Sequence, residues 1–282
     1  MPNLYWYFIL IFGSLLLFVF TLWKSFIPRA RAILIFFYIG GLAYILEYVI
    51  KVIFRSYDYF PHILENAWFD SLFGATISQG IFVPTVAMCI VAFGINTLWV
   101  IGICILIMGI EEGFIRLGIY EHHWWKTIYT GILIFIGFNM AKWWDRMLIN
   151  RKPWVDYVNI YLLLILFSNM LVYLLTSIWL SHLFQVGAFK NATRDSVFTE
   201  ATFIFIHSVA VSFLLQRKWK WYWFLVLYLI DWGLITLFEH VGIIQFFHFW
   251  NPALYALFPM AVALFVNWLY YRLIISCKKR LT

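Results

Sequence analysis

The stretch that decides the fold is residues 4–23, which read LYWYFILIFGSLLLFVFTLW and carry no charged side chain. About 20 apolar residues in a helix span the hydrocarbon core of a bilayer. Similar runs recur along the chain, and hydrophobic residues make up 65% of its 282 residues while charged residues make up 12%. A soluble core could not bury that share of apolar surface, because the outside of a soluble domain must face water. The sequence therefore predicts an all-α fold, a polytopic transmembrane helical bundle.

Apolar runs that could form membrane-spanning helices occur about nine times. The first run lacks the basic n-region and the small-residue cleavage site of a signal peptide, so it is predicted to remain as a helix. The predicted helices are Leu4–Trp23, Ile33–Phe54, Phe73–Phe93, Leu98–Leu117, Thr127–Leu148, Tyr157–Ser181, Phe198–Leu215, Trp221–His240 and Pro252–Ile275.

The distribution of basic residues between the loops predicts how these helices are oriented. With the N-terminus outside, 14 of the 20 Lys and Arg residues fall on the cytoplasmic side, as the positive-inside rule requires. We therefore predict a protein of the bacterial cytoplasmic membrane with a cytoplasmic C-terminus, where the tail Lys278-Lys279-Arg280 lies against anionic headgroups. This asymmetry explains the net charge of +7, so membrane lipids are the expected partners and nucleic acid is not.

Part of the sequence occurs twice at a nearly constant spacing. Asp70-Ser71-Leu72-Phe73 returns after 125 residues as Asp195-Ser196-Val197-Phe198, and Gly118-Ile119 returns after 124 residues as Gly242-Ile243. A stable period over roughly a hundred residues predicts an internal structural repeat.

The period divides the chain into a leading transmembrane helix in residues 1–30, a first four-helix repeat in residues 31–150 and a second in residues 151–282. An even number of helices in each repeat predicts that the two enter the membrane in the same sense, as parallel repeats. In both repeats the Asp-Ser motif precedes an apolar run, which is typical of a helix N-cap. Asp70 and Asp195 are therefore predicted to cap helices.

Several carboxylates fall within predicted spans. A charged group there costs about 2.5–3.5 kcal/mol on insertion scales, so each needs a partner, a proton or a water-filled cavity. The six in this position are Glu47, Glu111, Glu112, Glu200, Asp231 and Glu239.

The main candidate for a ligand site lies in the second repeat. His207 and Asp231 fall near the centres of two helices joined by a short basic loop, which predicts a hydrogen bond between them. Glu200 lies two turns from His207 on the same helix face, and Glu239 follows Asp231 by eight residues. These four residues could line a polar cleft that opens outward. The alternative is a structural clamp between two helices without a ligand.

The first repeat offers a second group of candidate ligand-binding residues. Glu111 and Glu112 lie near the outer end of the fourth helix, and Glu121-His122-His123 follows in the next loop. His and carboxylates at this density suit a divalent metal. No His-x3-His or Glu-x-x-His pair on one helix supports a metal here. The sequence therefore leaves open whether the protein binds a metal or a cofactor.

One stretch of the first repeat carries a resemblance to a known family. Glu111 is followed by Gly118-Ile119-Tyr120-Glu121 and then by Trp125-Lys126-Thr127-Ile128-Tyr129. This pattern resembles an uncharacterised family of small multi-pass membrane proteins of spore-forming Gram-positive bacteria. The match covers roughly Phe73–Leu148, and the second repeat keeps Gly242-Ile243 of the pattern, so the chain looks like a duplicated relative. The resemblance implies location and lineage, and it implies no activity.

Three functions fit these observations, and the sequence leaves open whether the protein is an enzyme. The chain has no P-loop, dinucleotide-binding glycine motif, GxSxG elbow or HExxH motif, which disfavours ATPases and common hydrolases. The preferred hypothesis is binding or transport of a cation or small polar solute. The second is an intramembrane enzyme acting on a lipid or isoprenoid, with Glu111 and Glu112 in acid–base roles. The third is a structural subunit that binds another membrane protein.

Overall fold

The computed structural model describes residues 3–150, 152–217 and 220–278 of the chain, and it confirms the predicted all-α, polytopic helical bundle. Eight helices in these residues are long and apolar enough to cross a membrane, so the chain has the character of a multi-pass membrane protein. The helices are α1 Leu4–Lys24, α2 Arg29–Glu47, α3 Ala67–Ile77, α4 Val83–Ala92, α5 Thr97–Arg116, α6 Thr127–Asn150, α7 Pro153–Trp179, α8 Ala192–Leu215, α9 Trp221–Val241 and α10 Pro252–Lys278.

Two short π-helical turns and four short strands complete the described elements. The turns extend or join helices: one continues α2, and the other links α3 to α4 as a single span. The turns are π1 Tyr48–Ile53 and π2 Ser78–Phe82, and the strands are β1 Tyr57–Tyr59, β2 Tyr120–His122, β3 His182–Phe184 and β4 Ile244–Phe246.

The predicted helices correspond to observed ones, with shifts at their ends. The third begins at Ala67 rather than Phe73. Helix α6 is long enough to span a membrane but is not among the eight apolar spans. It is more polar than the others because Asn139, Lys142 and Asp145 interrupt its apolar run.

The chain forms two compact units. Unit 1 comprises Met1–Val155 with Leu273–Thr282, and unit 2 comprises Asp156–Arg272. The basic tail predicted to contact anionic lipid includes residues 279 and 280, which lie outside the described residues.

In unit 1, two strands join the loops at one end of the helices. Strand β1 pairs antiparallel with β2, with Tyr59 opposite Tyr120. Helix α1 begins at this end, where the Asn3 side chain donates a hydrogen bond to the Phe60 carbonyl at 2.7 Å. We call this the hairpin end of unit 1. At the other end of α2, Arg31 forms a 2.7 Å ion pair with Asp145 of α6.

Unit 2 contains the corresponding strand pair. Strand β3 pairs antiparallel with β4, with Phe184 opposite Ile244. The sequence predicts only helices and loops at these positions, so neither strand pair was expected. Each strand has three residues, which is too short for a recognisable alternation of polar and apolar side chains.

The prediction that Asp70 and Asp195 are helix N-caps is wrong. The N-caps of α3 and α8 are Asn66 and Asn191, whose side chains accept hydrogen bonds from backbone N–H groups of the first helical turn. Asp70 and Asp195 lie within that first turn and point back to the preceding loop. Each is four residues beyond its Asn cap, so its carboxylate faces the chain that enters the helix.

Both carboxylates organise the loops before their helices. Asp70 accepts hydrogen bonds from the backbone N–H groups of residues 62, 63 and 64 at 2.7–3.0 Å. Asp195 accepts four, from residues 186 to 189, at 2.7–3.1 Å. The next residue also acts alike in both units, because Ser71 accepts from Tyr59 N–H and Ser196 from Phe184 N–H.

We expect Asp195→Ala to destabilise unit 2 by about 1.5–3 kcal/mol, since hydrogen bonds to a charged group contribute at this level and four donors lose their acceptor. Asp195→Asn should lose less, because one amide oxygen still accepts. Unfolding in mixed detergent micelles, followed by tryptophan fluorescence, measures the change. Glu239→Ala removes an exposed carboxylate and serves as control, and equal stability of the two alanine variants would contradict the assigned role.

Candidate functional site

Unit 1 contains a cavity of about 320 Å³. Its wall runs from Thr130 near the start of α6 to Met140 further along the same helix, which is about 15 Å at a rise of 1.5 Å per residue. Its volume lies near the lower end of the range for small-molecule sites, about 300–1,000 Å³. Apolar side chains of α2, α5 and α6 form most of the wall, among them Ile39, Leu42, Leu46, Ile107, Ile110, Leu133, Ile134 and Phe138.

The Glu47 carboxylate lies in this wall with one unpaired oxygen. Glu47 is the last residue of α2 and is 9% exposed. The Tyr57 hydroxyl donates a hydrogen bond to its Oε2 at 2.5 Å. Its Oε1 is buried and has no hydrogen-bond partner in the part of the chain that the structure describes. A buried acceptor left unpaired carries a desolvation penalty, so a donor or a positive charge that reached this atom would be stabilised there.

A second carboxylate, Glu111 of α5, lines the same cavity. Its Oε1 lies 2.8 Å from His122 Nε2 and accepts a hydrogen bond from Thr130 Oγ1 at 3.1 Å. Burial lowers the pKa of His122, against the opposing effect of the Glu112 charge. The imidazole is therefore mainly neutral at pH 7 and can donate a single N–H to Glu111. Glu111 is thus held by its neighbours, whereas Glu47 keeps a free oxygen.

Three tyrosines pack around the end of the cavity that contains Glu47 and Glu111, which we call its polar end. The rings of Tyr59 and Tyr120 have centroids 4.6 Å apart, and Tyr57 lies 5.7 Å and 5.2 Å from them. Burial raises the pKa of all three phenols well above the usual value near 10, and the Glu47 charge adds to the shift in each. The phenols therefore stay protonated and act as hydrogen-bond donors.

Lys51 lies in π1, at the hairpin end and next to these rings. It is fully buried, and its Nζ donates to Ser71 Oγ at 2.7 Å, the Tyr57 carbonyl at 3.0 Å and Asp58 Oδ1 at 3.2 Å. An ammonium group has three donors, so these contacts use all of them. Lys51 is not among the residues of the cavity wall.

Asp58 connects this lysine to the surface. Its Oδ2 lies 2.8 Å from His123 Nε2 and 3.4 Å from Arg55 Nη2. Burial alone would raise the pKa of Asp58, but the Lys51 charge, the His123 hydrogen bond and the Arg55 charge hold it below its ordinary value. The carboxylate is therefore ionised at neutral pH and compensates the charge of Lys51.

Both π-helical turns lie at this site. Glu47 directly precedes π1, and π2 contributes Ser78, Gln79 and Phe82 to the cavity wall. A π-helical turn inserts one extra residue into a helix and is frequent at functional sites. Helices α7 and α8, by contrast, are continuous α-helices over their described residues.

In unit 2 the structure confirms the predicted hydrogen bond between His207 and Asp231, whose Nε2 and Oδ1 atoms are 2.9 Å apart. Asp231 is 1% exposed. The contact joins α8 to α9, and neither residue lines the cavity described above. This geometry suits the predicted alternative, a polar clamp between two helices, and leaves a ligand role as a hypothesis.

Glu200 makes a different contact from the one expected beside His207. Its Oε1 lies 2.6 Å from His182 Nε2 and accepts a 2.6 Å hydrogen bond from Tyr255 OH. The other ring nitrogen of His182 lies 2.8 Å from Ser181 Oγ. The structure thus places Glu200 in a buried network with β3 and α10. Spacing on α8 alone could not reveal partners from two distant segments.

The remaining predicted site residues, Glu112 and Glu239, are exposed. Glu112 accepts a hydrogen bond from Thr127 Oγ1 at 2.5 Å and is not in the cavity wall. Among the described residues no group of three or more His, Cys, Asp and Glu side chains could hold a metal ion. Cys89 and Cys104 are free thiols.

Comparison of the chain with protein-family models, with curated proteins and with solved structures gave no match.

Glu47 was predicted to be a carboxylate within a span but was not grouped with Glu111, and neither Lys51 nor the three tyrosines were predicted site residues. One signal was present. Glu47 and Lys51 are four residues apart in an apolar run, so they lie on one face of a helix, where opposite charges compensate each other. The sequence did not show that β1 and β2 bring Tyr57 and Tyr120 to the same place.

Proposed function

We propose that the protein binds an amphipathic ligand in the cavity of unit 1. The apolar body of the ligand lies between α2, α5 and α6, and its polar end, a hydrogen-bond donor or a positive charge, lies against Glu47 and Glu111. The observation that carries this proposal is the unpaired, buried Oε1 of Glu47 in the wall of an otherwise mainly apolar cavity.

The composition of the wall supports both halves of this ligand. Aliphatic and aromatic side chains form most of the wall, and they would leave a fully polar solute without partners. The wall contains two carboxylates and no Lys, Arg or His. A phosphate or carboxylate group at this position would find no basic partner in the wall, so headgroups of that kind are disfavoured. Of the solutes expected from the sequence, a cation with an apolar body suits the wall better than a small polar molecule.

An intramembrane enzyme acting on a lipid is the second candidate, and one contact favours it. Glu111 and His122, 2.8 Å apart, form a carboxylate–imidazole pair of the type used for proton transfer, and the apolar cavity beside them suits a lipid chain. Saturable binding without turnover of lipid would exclude this role for the cavity.

The setting of the cavity is also part of the proposal. We expect the hairpin end of unit 1 to face outward in a bacterial cytoplasmic membrane, because most of the basic residues lie in segments at the opposite side of the predicted topology. The matching loop hydrogen bonds of Asp70 and Asp195, offset by 125 residues, support an origin of the two units by duplication. The suggested link to the membrane-protein family of spore-forming bacteria is a hypothesis of the same kind.

The test places a large side chain in the cavity. Gly137 lies in the wall, and a Cβ atom there would meet nothing within 4 Å. We expect Gly137→Phe to weaken binding of tritiated dodecyltrimethylammonium or dodecyl alcohol at least about tenfold, because the phenyl ring occupies the volume that the dodecyl chain of the probe needs. Binding is measured with the protein in phosphatidylcholine nanodiscs, and uptake by empty nanodiscs is subtracted.

Gly102→Phe is the matched control. Gly102 lies on α5 outside the cavity wall, and a Cβ there also meets nothing within 4 Å. This variant should bind both probes as the unaltered protein does. The proposal is overturned if neither probe binds saturably, or if Gly137→Phe leaves the binding of both unchanged.

A further inference from the structure

We infer that the ligand of the unit 1 cavity is a lipophilic ammonium, an organic monocation with an apolar body. The inference rests on the proposed function and narrows the polar end of the ligand from any donor to a positive charge. Three features carry this inference: the charges of the cavity wall, the aromatic rings around the polar end, and the hydrogen bonds of Lys51, which already use all three of its donors.

The charges of the wall are one-sided. Glu47 and Glu111 both contribute to it, and no basic side chain does. A neutral donor would satisfy the free oxygen of Glu47 but would add no positive charge, and the charge of Lys51, which acts on Glu47, is shared with Asp58. Buried charges are normally paired with charges of opposite sign. A bound ammonium supplies that charge between the two carboxylates.

Aromatic rings surround the same end of the cavity. Tyr7, Tyr57, Tyr59, Phe114, Tyr120 and Trp125 all belong to its wall. Ring faces attract cations within about 6 Å of the ring centroid, and aromatic cages of this kind recognise methylated ammonium groups. The rings of Tyr57 and Tyr59 already have one such contact, with Lys51 Nζ at 5.4 Å and 5.6 Å from their centroids.

Lys51 does not take the place of the proposed cation. Its three donors are used by Ser71, the Tyr57 carbonyl and Asp58. Its charge is compensated by Asp58, at 3.2 Å, together with Glu47. Its Nζ therefore makes no hydrogen bond to Glu47, and the Oε1 of Glu47 remains without a donor among the described residues. A cation bound in the cavity would supply the missing partner of this oxygen.

The test compares three probes of one chain length in phosphatidylcholine nanodiscs. They are dodecyltrimethylammonium, dodecyl alcohol and dodecyl sulfate, which are cationic, neutral and anionic. We expect the unaltered protein to bind the cation at least about tenfold more tightly than the alcohol, and the sulfate least tightly. Glu47→Gln should reduce the affinity for the cation at least about tenfold and leave the affinity for the alcohol unchanged.

The alcohol also reports whether the variant is folded. Glutamine keeps an oxygen that accepts the Tyr57 hydrogen bond, so the cavity should persist. Glu65→Gln, the same charge change at an exposed site of unit 1 outside the cavity wall, should leave the affinity for all three probes unchanged. Equal affinity for cation and alcohol in the unaltered protein, or a cation preference that survives Glu47→Gln, overturns the inference. If the alcohol still binds and Gly137→Phe still blocks it, the proposed function stands in that case.

Discussion

Replacing Lys51 by methionine should destabilise unit 1 by about 3–5 kcal/mol, the loss expected when one partner of a buried ion pair is removed. Methionine fills a similar volume, so the expected loss comes from charge and hydrogen bonding rather than from a cavity. The ammonium group now serves three buried acceptors: Ser71 Oγ, the Tyr57 carbonyl and Asp58 Oδ1. In the variant, Asp58 keeps its contacts with His123 and Arg55, which places the expected loss at the lower end of this range.

The measurement is unfolding in mixed detergent micelles, followed by tryptophan fluorescence. Lys126→Met is the matched control, because Lys126 lies in the loop after β2 and is exposed, and it should change stability by less than about 1 kcal/mol. The double variant with Asp58→Asn removes both charges and should be more stable than the sum of the two single losses predicts. Additive losses would show that the two groups are not coupled in the folded protein.

Acid should weaken the same contact. The pKa of Asp58 lies below its ordinary value because Lys51, His123 and Arg55 outweigh the effect of burial. The stability that this shift contributes is complete above the ordinary Asp pKa of about 3.9 and is lost as the pH falls through the lower pKa of the folded protein. The difference in stability between the unaltered protein and Asp58→Asn should therefore shrink below about pH 4.

The long helices could be predicted from the sequence because a lipid-facing helix needs only a run of apolar residues. Helix α6 and the two π-helical turns depart from this pattern, each for a local reason. Helix α6 is more polar than a typical span, since Lys142 and Asp145 lie in its second half. The two π-helical turns interrupt apolar runs that read as single helices. One extra residue in a turn leaves no mark on composition, so π1 and π2 could not be predicted.

The candidate site could be predicted only where both partners of a contact lie in adjacent helices. The bond between His207 and Asp231 joins α8 to α9 across one short loop, so the depth of each residue sufficed. The partners of Glu200, His182 and Tyr255, could not be predicted because they come from β3 and α10. Glu47 meets Tyr57 only because π1 and the loop after it turn the chain back.

The two units differ in a way that bears on where a ligand binds. Tyr57 and His182 occupy corresponding positions at a shift of 125 residues, and each is hydrogen bonded to a buried carboxylate. In unit 1 this carboxylate is Glu47 of α2, which keeps an oxygen free; in unit 2 it is Glu200 of α8, whose Oε1 is shared by two partners. A buried carboxylate thus belongs to a polar network in unit 2 and lines a cavity in unit 1. This contrast favours one asymmetric site over two equal ones.

Replacing Gly74 by alanine should destabilise unit 1 by about 3 kcal/mol, the upper end of the usual cost of overpacking. Gly74 lies in α3 against β1, and a Cβ atom there would be 2.5 Å from Cβ and 2.8 Å from Cγ of Tyr59, and 3.0 Å from the Tyr7 hydroxyl. Tyr59 cannot easily move aside, since its N–H is bonded to Ser71 Oγ and it pairs with Tyr120 in the sheet. The clash outweighs the gain of about 1 kcal/mol that alanine normally brings in a helix.

Gly109→Ala is the matched control for this variant. Gly109 lies within α5, and a Cβ atom there would meet nothing within 4 Å, so this variant should be more stable by up to about 1 kcal/mol. Unfolding in mixed micelles measures both. Because Tyr59 lies in the cavity wall, Gly74→Ala should also weaken binding of dodecyl alcohol, whereas Gly109→Ala should not. Equal stability of the two variants would mean that α3 does not pack against β1 this closely, and the geometry of the polar end of the cavity would have to be revised with it.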